Sequence, residues 1–195
     1  MTPVRPGRET GSARDGTIMM ILDKPAPGRS CGSCTLCCKV HGIAELAKPV
    51  GKWCPHCDIG KSCRIYETRP QECRTFHCLW LADGRMAEHW RPDLSKIVVT
   101  PGSNPNSLEL RCDPGHPGAW RKEPYYSEIL QLAMKARSMD GMLIVAVNGS
   151  CTFVAPEGEF FLGEVHPDQR IVQQFQGTRL VNVRLVHKDE VQHPK

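Results

Sequence analysis

Long apolar segments are missing from this chain of 195 residues. Its longest uninterrupted apolar run, residues 142–147, has the length of a strand and falls far short of the ~20 residues that a membrane span needs. Residues 1–30 also lack the apolar centre of a secretory signal, because arginine, glutamate, proline and glycine recur throughout them. We therefore expect a cytoplasmic protein with no membrane partner.

Aromatic residues and excess charge are scarce as well. Aromatics make up 6% of the chain and the net charge is +4. A nucleic-acid-binding module usually has a stronger basic excess and more rings for stacking, so nucleic acid is disfavoured as a partner, although the basic residues 5–14 permit it. The chain also has no glycine-rich nucleotide loop and no Ser/His/Asp signature. Whether the protein is an enzyme stays open, and no protein partner is indicated.

Cysteine, by contrast, is abundant. The chain has 11 cysteines, and all except Cys112 and Cys151 lie within residues 31–78. In a cytosolic protein, where thiols stay reduced, such crowding indicates metal or redox chemistry more often than disulfides. Cys112 and Cys151 fall on predicted strands, where we expect buried structural thiols.

The spacing of the crowded cysteines favours metal binding. They form a C-x2-C-x2-C-C pattern, then a second C-x2-C pair, then three single cysteines. A two-residue gap lets a tight turn direct two sulfurs to one point, and soft thiolates at this spacing suit zinc or an iron–sulfur cluster. The predicted metal ligands are Cys31, Cys34, Cys37, Cys38, Cys54, Cys57, Cys63, Cys73 and Cys78.

Adjacent Cys37 and Cys38 bear on the number of sites. Neighbouring side chains diverge by about 100° on a helix and about 180° on a strand. We therefore expect one of the two thiols in a first site and the other in a second site or in a polynuclear cluster. The predicted ligands exceed the four of a closed zinc site, so they fit either two zinc ions or one four-iron cluster with thiols left over.

Basic side chains near the cysteines offer a counter-charge. Four thiolates around a metal carry net negative charge, which nearby cations would offset. The other interpretation of these residues is an ordinary solvated surface. They are Lys39, Lys61, Arg64, Arg69 and Arg74.

A helix is predicted over residues 68–82. Thr68 can cap it, Pro70 fits its first turn, and Gln71 completes a capping box. On such a helix Cys73 and His77 share one face, while Cys78 points about 140° away. His77 is therefore an alternative ligand, as are His41 and His56.

The whole chain reads as an α+β protein. We expect a mobile segment over residues 1–29 with a short strand at 18–22, and a loop-rich, metal-held cysteine module over 30–92. Residues 93–195 should form a small, mostly antiparallel sheet with one packed helix at 125–137, either separate from the module or packed on it as a single domain. Residues 168–175 are ambiguous between strand and helix. The predicted strands are residues 96–100, 107–112, 142–148, 151–155, 159–163 and 180–186.

With these segments in view, residues 30–92 resemble a bacterial cysteine-cluster family that has a CxxCxxCC signature (YkgJ-type). The resemblance rests on "CGSCTLCC", on "KPVGKWCPHC" and on "CRIYETRPQECRTFHCLWL". That family is described as a zinc- or iron-chelating domain, and its pattern favours Cys78 over His77 as a ligand. A similar cluster in the flagellin lysine methylases, thought to hold iron–sulfur, implies that such a module can serve an enzyme.

Four other residues of the pattern are not ligands. We expect Tyr66, Arg69, Phe76 and Trp80 to pack around the metal-held module. The alternative makes Arg69 or Tyr66 a hydrogen-bond donor to a thiolate.

The sequence thus predicts a protein that binds zinc or iron, the iron either as an ion or in a four-iron cluster. The bound metal would have a structural or an electron-transfer role. One alternative is an enzyme that uses the cluster as cofactor, either methylase-like or redox. The other is a thiol–disulfide oxidoreductase acting through Cys54-Pro55-His56-Cys57, which would need Cys54 at the N-terminus of a helix.

Overall fold

A computed structural model of the protein describes residues 24–104 and 106–190. The predicted strand at 18–22, and most of the predicted N-terminal segment, lie outside these residues. The described chain is α+β, as predicted. Within it, no helix is both long enough and apolar enough to cross a membrane.

The first half of the described chain contains only short elements. Its two-stranded sheet pairs β1 with β2 antiparallel, and 3-10 turns link the helices. Glycines and prolines punctuate the segment, as expected for loops. The elements are α1 (Cys37–Val40), β1 (Cys57–Asp58), β2 (Ser62–Cys63), α2 (Gln71–Thr75), α3 (Leu79–Ala82) and α4 (Pro92–Ser95), with 3-10 turns at Ala44–Leu46, Tyr66–Thr68 and Glu88–Trp90.

The second half forms a five-stranded sheet and a hairpin. The sheet has the order β3-β4-β5-β6-β7, and every pairing except β4–β5 is antiparallel. The parallel pair needs a crossover, which α5 supplies. The elements are β3 (Ile97–Pro101), β4 (Leu108–Cys112), α5 (Tyr125–Ser138), β5 (Leu143–Val147), β6 (Ser150–Ala155), β7 (Gly158–Glu164), β8 (Gln169–Gln176) and β9 (Arg179–His187), with 3-10 turns at Ala119–Arg121 and Lys188–Glu190.

The sequence located these elements well. The six predicted strands and the helix at 125–137 are all present, with bounds that agree within one residue. The ambiguous segment 168–175 is strand β8, which pairs with β9. Alternation explains β4, because Leu108, Leu110 and Cys112 are buried while Glu109 and Arg111 lie on the opposite face.

One apolar core joins the cysteine region to the sheet. Leu36, which directly precedes α1, Val40 of α1, and Trp80 and Leu81 of α3 belong to the same buried cluster as residues of β3, β4 and β5. The packed face of α5 contributes Ile129 to this cluster. The two predicted parts therefore pack directly on each other.

The single helix predicted over residues 68–82 is wrong. It is divided into α2 and α3, with an extended Phe76 (φ −80°, ψ 121°) and an extended Cys78 (φ −71°, ψ 158°) at the break. The break has a packing reason, because it lets Phe76 contact the ring of His41 and lets Cys78 be buried in the core. Cys73 and His77 consequently do not share a helix face.

Candidate metal centre

The first thiol group consists of Cys31, Cys34, Cys37 and Cys78. A tight turn brings the first two together, since the backbone N–H of Cys34 donates to the carbonyl oxygen of Cys31 at 2.8 Å. Cys37 opens α1, and Cys78 precedes α3. Burial is the main reason that the pKa of Cys78 is raised to about 11, and charges on Cys34 and Cys31 raise it further.

The second thiol group consists of Cys38, Cys54, Cys57, Cys63 and Cys73. The N–H of Cys54 donates to the carbonyl of Cys38 at 2.9 Å, and that of Cys57 donates to Cys54 at 3.0 Å. Pairing of β1 with β2 places Cys57 opposite Cys63. The pKa of Cys73, on α2, is raised mainly by burial and further by charges on Cys38, Cys54 and Cys63.

Cys37 and Cys38 mark the boundary between the two groups. Their thiols share a hydrogen bond that raises the pKa of Cys37 and lowers that of Cys38 to about 6. Charges on Cys31 and Cys34 also raise the pKa of Cys37, whereas the Cys38 thiol accepts a further hydrogen bond from Cys57. Cys37 and Cys38 therefore interact with different thiols, although the charge on Cys38 also raises the pKa of Cys31.

The two groups bring donors together without closing a coordination shell. All eleven cysteines are free thiols. Across residues 24–104 and 106–190, no three His, Cys, Asp or Glu side chains meet in an arrangement ready to hold a metal ion. The donor chemistry suits a thiophilic metal, and ligation would require thiol side chains to rotate toward a common point.

Lys48 is a buried cation beside the second thiol group and Cys37. The residue is only 6% exposed. Its ammonium group donates to the backbone carbonyls of Lys39, at 3.1 Å, and His41. Burial lowers its pKa, and charges on Cys54, Cys38, Cys37 and Cys73 oppose that shift. Sequence reasoning missed Lys48, because a lysine in a loop gives no signal that it will be buried.

The cations predicted from the sequence have other contacts. Lys39 pairs with Asp113, and Arg64 pairs with Asp58 at 3.1 Å. Arg74 donates to the backbone carbonyl of Arg69 at 2.9 Å. Lys61 is exposed.

Arg69, one of the predicted cations, acts on a thiol through its charge. Its charge lowers the pKa of Cys31, although burial outweighs it and leaves that pKa raised. The guanidinium lies 3.7 Å from the ring centre of Tyr66 and donates to the Tyr66 carbonyl at 2.6 Å. Phe76 and Trp80 pack on the core as expected, whereas Tyr66 is 50% exposed and does not.

The histidine alternatives lie elsewhere. His41 and His77 line a cleft against the sheet, and each has a buried ring nitrogen without a hydrogen-bond partner. His56 lies in the turn between Cys54 and Cys57, where its carbonyl accepts the N–H of Arg64.

The geometry around Cys54-Pro55-His56-Cys57 differs from that of an activated redox dithiol. These residues form a turn that leads into β1. The positive end of a helix dipole, which lowers the pKa of an attacking cysteine, is therefore not supplied to Cys54 by the residues that follow it.

The two remaining cysteines belong to the sheet. Cys112 on β4 is buried, and burial raises its pKa to about 12. Cys151 on β6 is half-buried, and its thiol donates to the carbonyl of Gly149 at 3.8 Å. The expected burial is confirmed for Cys112 and is partial for Cys151.

Comparison of the chain with family models, with curated proteins and with solved structures gives no match. The resemblance to the CxxCxxCC family stays a prediction from the sequence, and so does the proposed ligand set.

Proposed function

We propose that this protein binds metal through the two thiol groups, as zinc ions or as an iron–sulfur cluster. Cys31, Cys34, Cys37 and Cys78 would hold one site. A second site would draw on Cys38, Cys54, Cys57, Cys63 and Cys73. Bound zinc would cross-link the loops, whereas an iron–sulfur cluster would also carry electrons.

The observation that carries this proposal is the shortage of buried side chains in the cysteine region. Between Val40 and Cys78, a stretch that the structure describes in full, only Ile43, Lys48 and Pro70 are buried. Three residues, one of them charged, provide little hydrophobic stabilisation for a segment of this length. Metal–thiolate bonds are a common substitute for a core in such small loop-rich regions.

The protein's own residues would prepare one thiol, that of Cys38, for ligation. A metal binds the thiolate, so ligation releases protons and is favoured by groups that stabilise negative sulfur. Hydrogen bonds from Cys37 and Cys57 keep the pKa of Cys38 at about 6. Lys48 would add a fixed positive charge beside the second group. The proposal includes a cytoplasmic location, where reducing conditions keep the thiols available.

The test is elemental analysis with an ultraviolet–visible spectrum of protein purified without oxygen. Stoichiometric zinc in a colourless protein would identify zinc sites. Iron with sulfide and a broad absorbance near roughly 400 nm would identify a cluster. Reduced, fully folded protein that contains neither metal would refute the proposal.

A further inference from the structure

A cleft lies between the cysteine region and the sheet, with a volume of about 320 Å³. His41, which directly follows α1, and Phe76 and His77, from the break between α2 and α3, line one side. Glu109 and Arg111, from the polar face of β4, line the other. Thr100 and Pro101 of β3 also line it, so the cleft is built from four separate parts of the chain.

Three of the residues that line this cleft carry an unpartnered nitrogen atom. His41 Nε2, His77 Nδ1 and Arg111 Nε are buried and have no hydrogen-bond partner. The described residues contain only two other such side-chain atoms, on Trp80 and Trp120. A buried polar group left unpaired costs about 1–3 kcal/mol, so three at one place are a substantial cost unless a ligand pairs with them.

The chemistry of these atoms selects an acceptor. Arg111 Nε–H can only donate, and the guanidinium remains charged at any physiological pH. Its Nη2 is already paired with Glu109 at 2.7 Å, which leaves the Nε edge unpaired. A neutral imidazole can also present an N–H by choice of tautomer. Donors from three side chains match the oxygen atoms of a carboxylate or phosphate.

A metal ion fits this cleft less well. Arg111 would repel a cation, and His41, His77 and Glu109 do not form a metal-binding triad in the described structure. Burial, together with the charges of Arg111 and Lys48, lowers the pKa of His41 to about 4. Two cationic side chains therefore already lie near His41, and they would repel a metal ion.

We propose that this cleft binds a small oxyanion, a carboxylate or a phosphate. Arg111 is the fixed charged donor, and the rings of His41 and His77 turn toward the ligand to donate from their unpartnered nitrogens. The negative charge of Glu109 repels anions, so the cleft favours anions of low charge over highly charged ones. The site does not depend on metal in the thiol groups, although His77 adjoins Cys78.

The experiment titrates oxygen-free protein with inorganic phosphate and, separately, with succinate at constant ionic strength, while NMR follows the histidine ring C–H signals. Saturable shifts of the His41 and His77 signals are expected with at least one anion, at about 10 mM or below. A response to phosphate alone identifies a phosphate site, and one to succinate alone identifies a carboxylate site. No saturable shift of these two signals with either anion would overturn the proposal.

Variants tie the response to the cleft. Arg111→Gln should abolish the shifts, and Arg184→Gln, at an exposed position on β9, should leave them unchanged. If Arg111→Gln fails to fold, Arg111→Lys keeps the charge without the Nε–H, and His77→Phe removes a second donor. Each should weaken binding at least about tenfold. Unchanged binding in a folded Arg111 variant would refute the assignment.

Discussion

The backbone N–H of Cys54 donates to the carbonyl oxygen of Cys38 at 2.9 Å. This bond joins the C-x2-C pair at Cys54 to the C-x2-C-x2-C-C segment, 16 positions earlier in the chain. With the hydrogen bond that the Cys57 thiol donates to Cys38, it links Cys38 to the second thiol group, while charges on Cys31 and Cys34 act on its neighbour Cys37. Two adjacent cysteines are thereby divided between two groups, which is the basis for expecting two sites.

Removing thiols from each group in turn should separate the sites. In a zinc-loaded protein, Cys34→Ser should remove about half of the bound zinc, because it leaves the first group with three thiols. The second group has five, so the double variant Cys54→Ser/Cys57→Ser is needed to leave three there, and it should remove the other half. Elemental analysis of the purified variants measures this, with Cys151→Ser as the control outside both groups. Full zinc content in both variants, or an equal loss in the control, would contradict the division into two groups.

Metal removal should loosen the cysteine region while the sheet stays folded. Residues 41–77 have almost no apolar core, whereas β3, β4 and β5 share a large buried cluster. After treatment with a chelator and a reductant, amide hydrogen exchange should accelerate across residues 41–77 and remain slow in β4 and β5. Unchanged protection at 41–77 in metal-free protein would show that metal does not stabilise this region.

Lys48→Met should weaken metal binding. The variant keeps most of the apolar stem but removes the buried charge near Cys38, Cys54 and Cys73. Loss of a supporting group next to metal ligands typically costs 10–100-fold in affinity, so we expect a decrease of at least about tenfold in a competition assay with a chelating dye. Lys61→Met, at an exposed position, is the matched control. Equal affinities of the two variants would exclude a counter-charge role for Lys48.

Acid should destabilise the fold partly through His41. Its pKa is about 4 in the folded protein against 6.5 ordinarily, mainly because of burial. As the pH falls from 6.5 toward 4, the unfolded chain binds a proton that the folded chain does not, and stability is lost. The loss amounts to about 2 kcal/mol at pH 5.

His41→Gln should remove this component. Denaturant unfolding at pH 7 and pH 5 in phosphate-free buffer should show a smaller decrease in the free energy of unfolding for the variant than for the unmodified protein. Other titrating groups, including the thiols, contribute to both and cancel. His166→Gln, at an exposed position, should behave like the unmodified protein. Equal pH dependence in all three proteins would show that His41 is not held neutral by the fold.

Local patterns were sufficient to predict the sheet but not the cysteine region. Alternation along β4 and turn residues at Asn148-Gly149 act over a few positions, so the strands could be located within one residue. The break at Phe76 could not be predicted in this way, because the residues from Thr68 onward have good helix signals. Tertiary packing of Phe76 on His41 and burial of Cys78 override them.

The candidate ligands came from spacing, but their division into groups did not. A C-x2-C pair identifies neighbours, whereas the association of Cys78 with Cys31 and Cys34 depends on chain reversal over more than 40 residues. Lys48 and Arg111 were missed for the same reason. Each is an ordinary basic residue in the sequence, and only the packing of distant segments makes one buried and leaves the other with an unpaired N–H.

The shared core has a consequence for dissecting this protein. Leu36, Val40, Trp80 and Leu81 pack against strands that come later in the chain. An excised fragment ending at residue 92 would present these side chains to water and would tend to aggregate even with its ions in place. The cysteine region therefore cannot be treated as a portable unit for grafting onto another scaffold, because its underside is completed by the sheet.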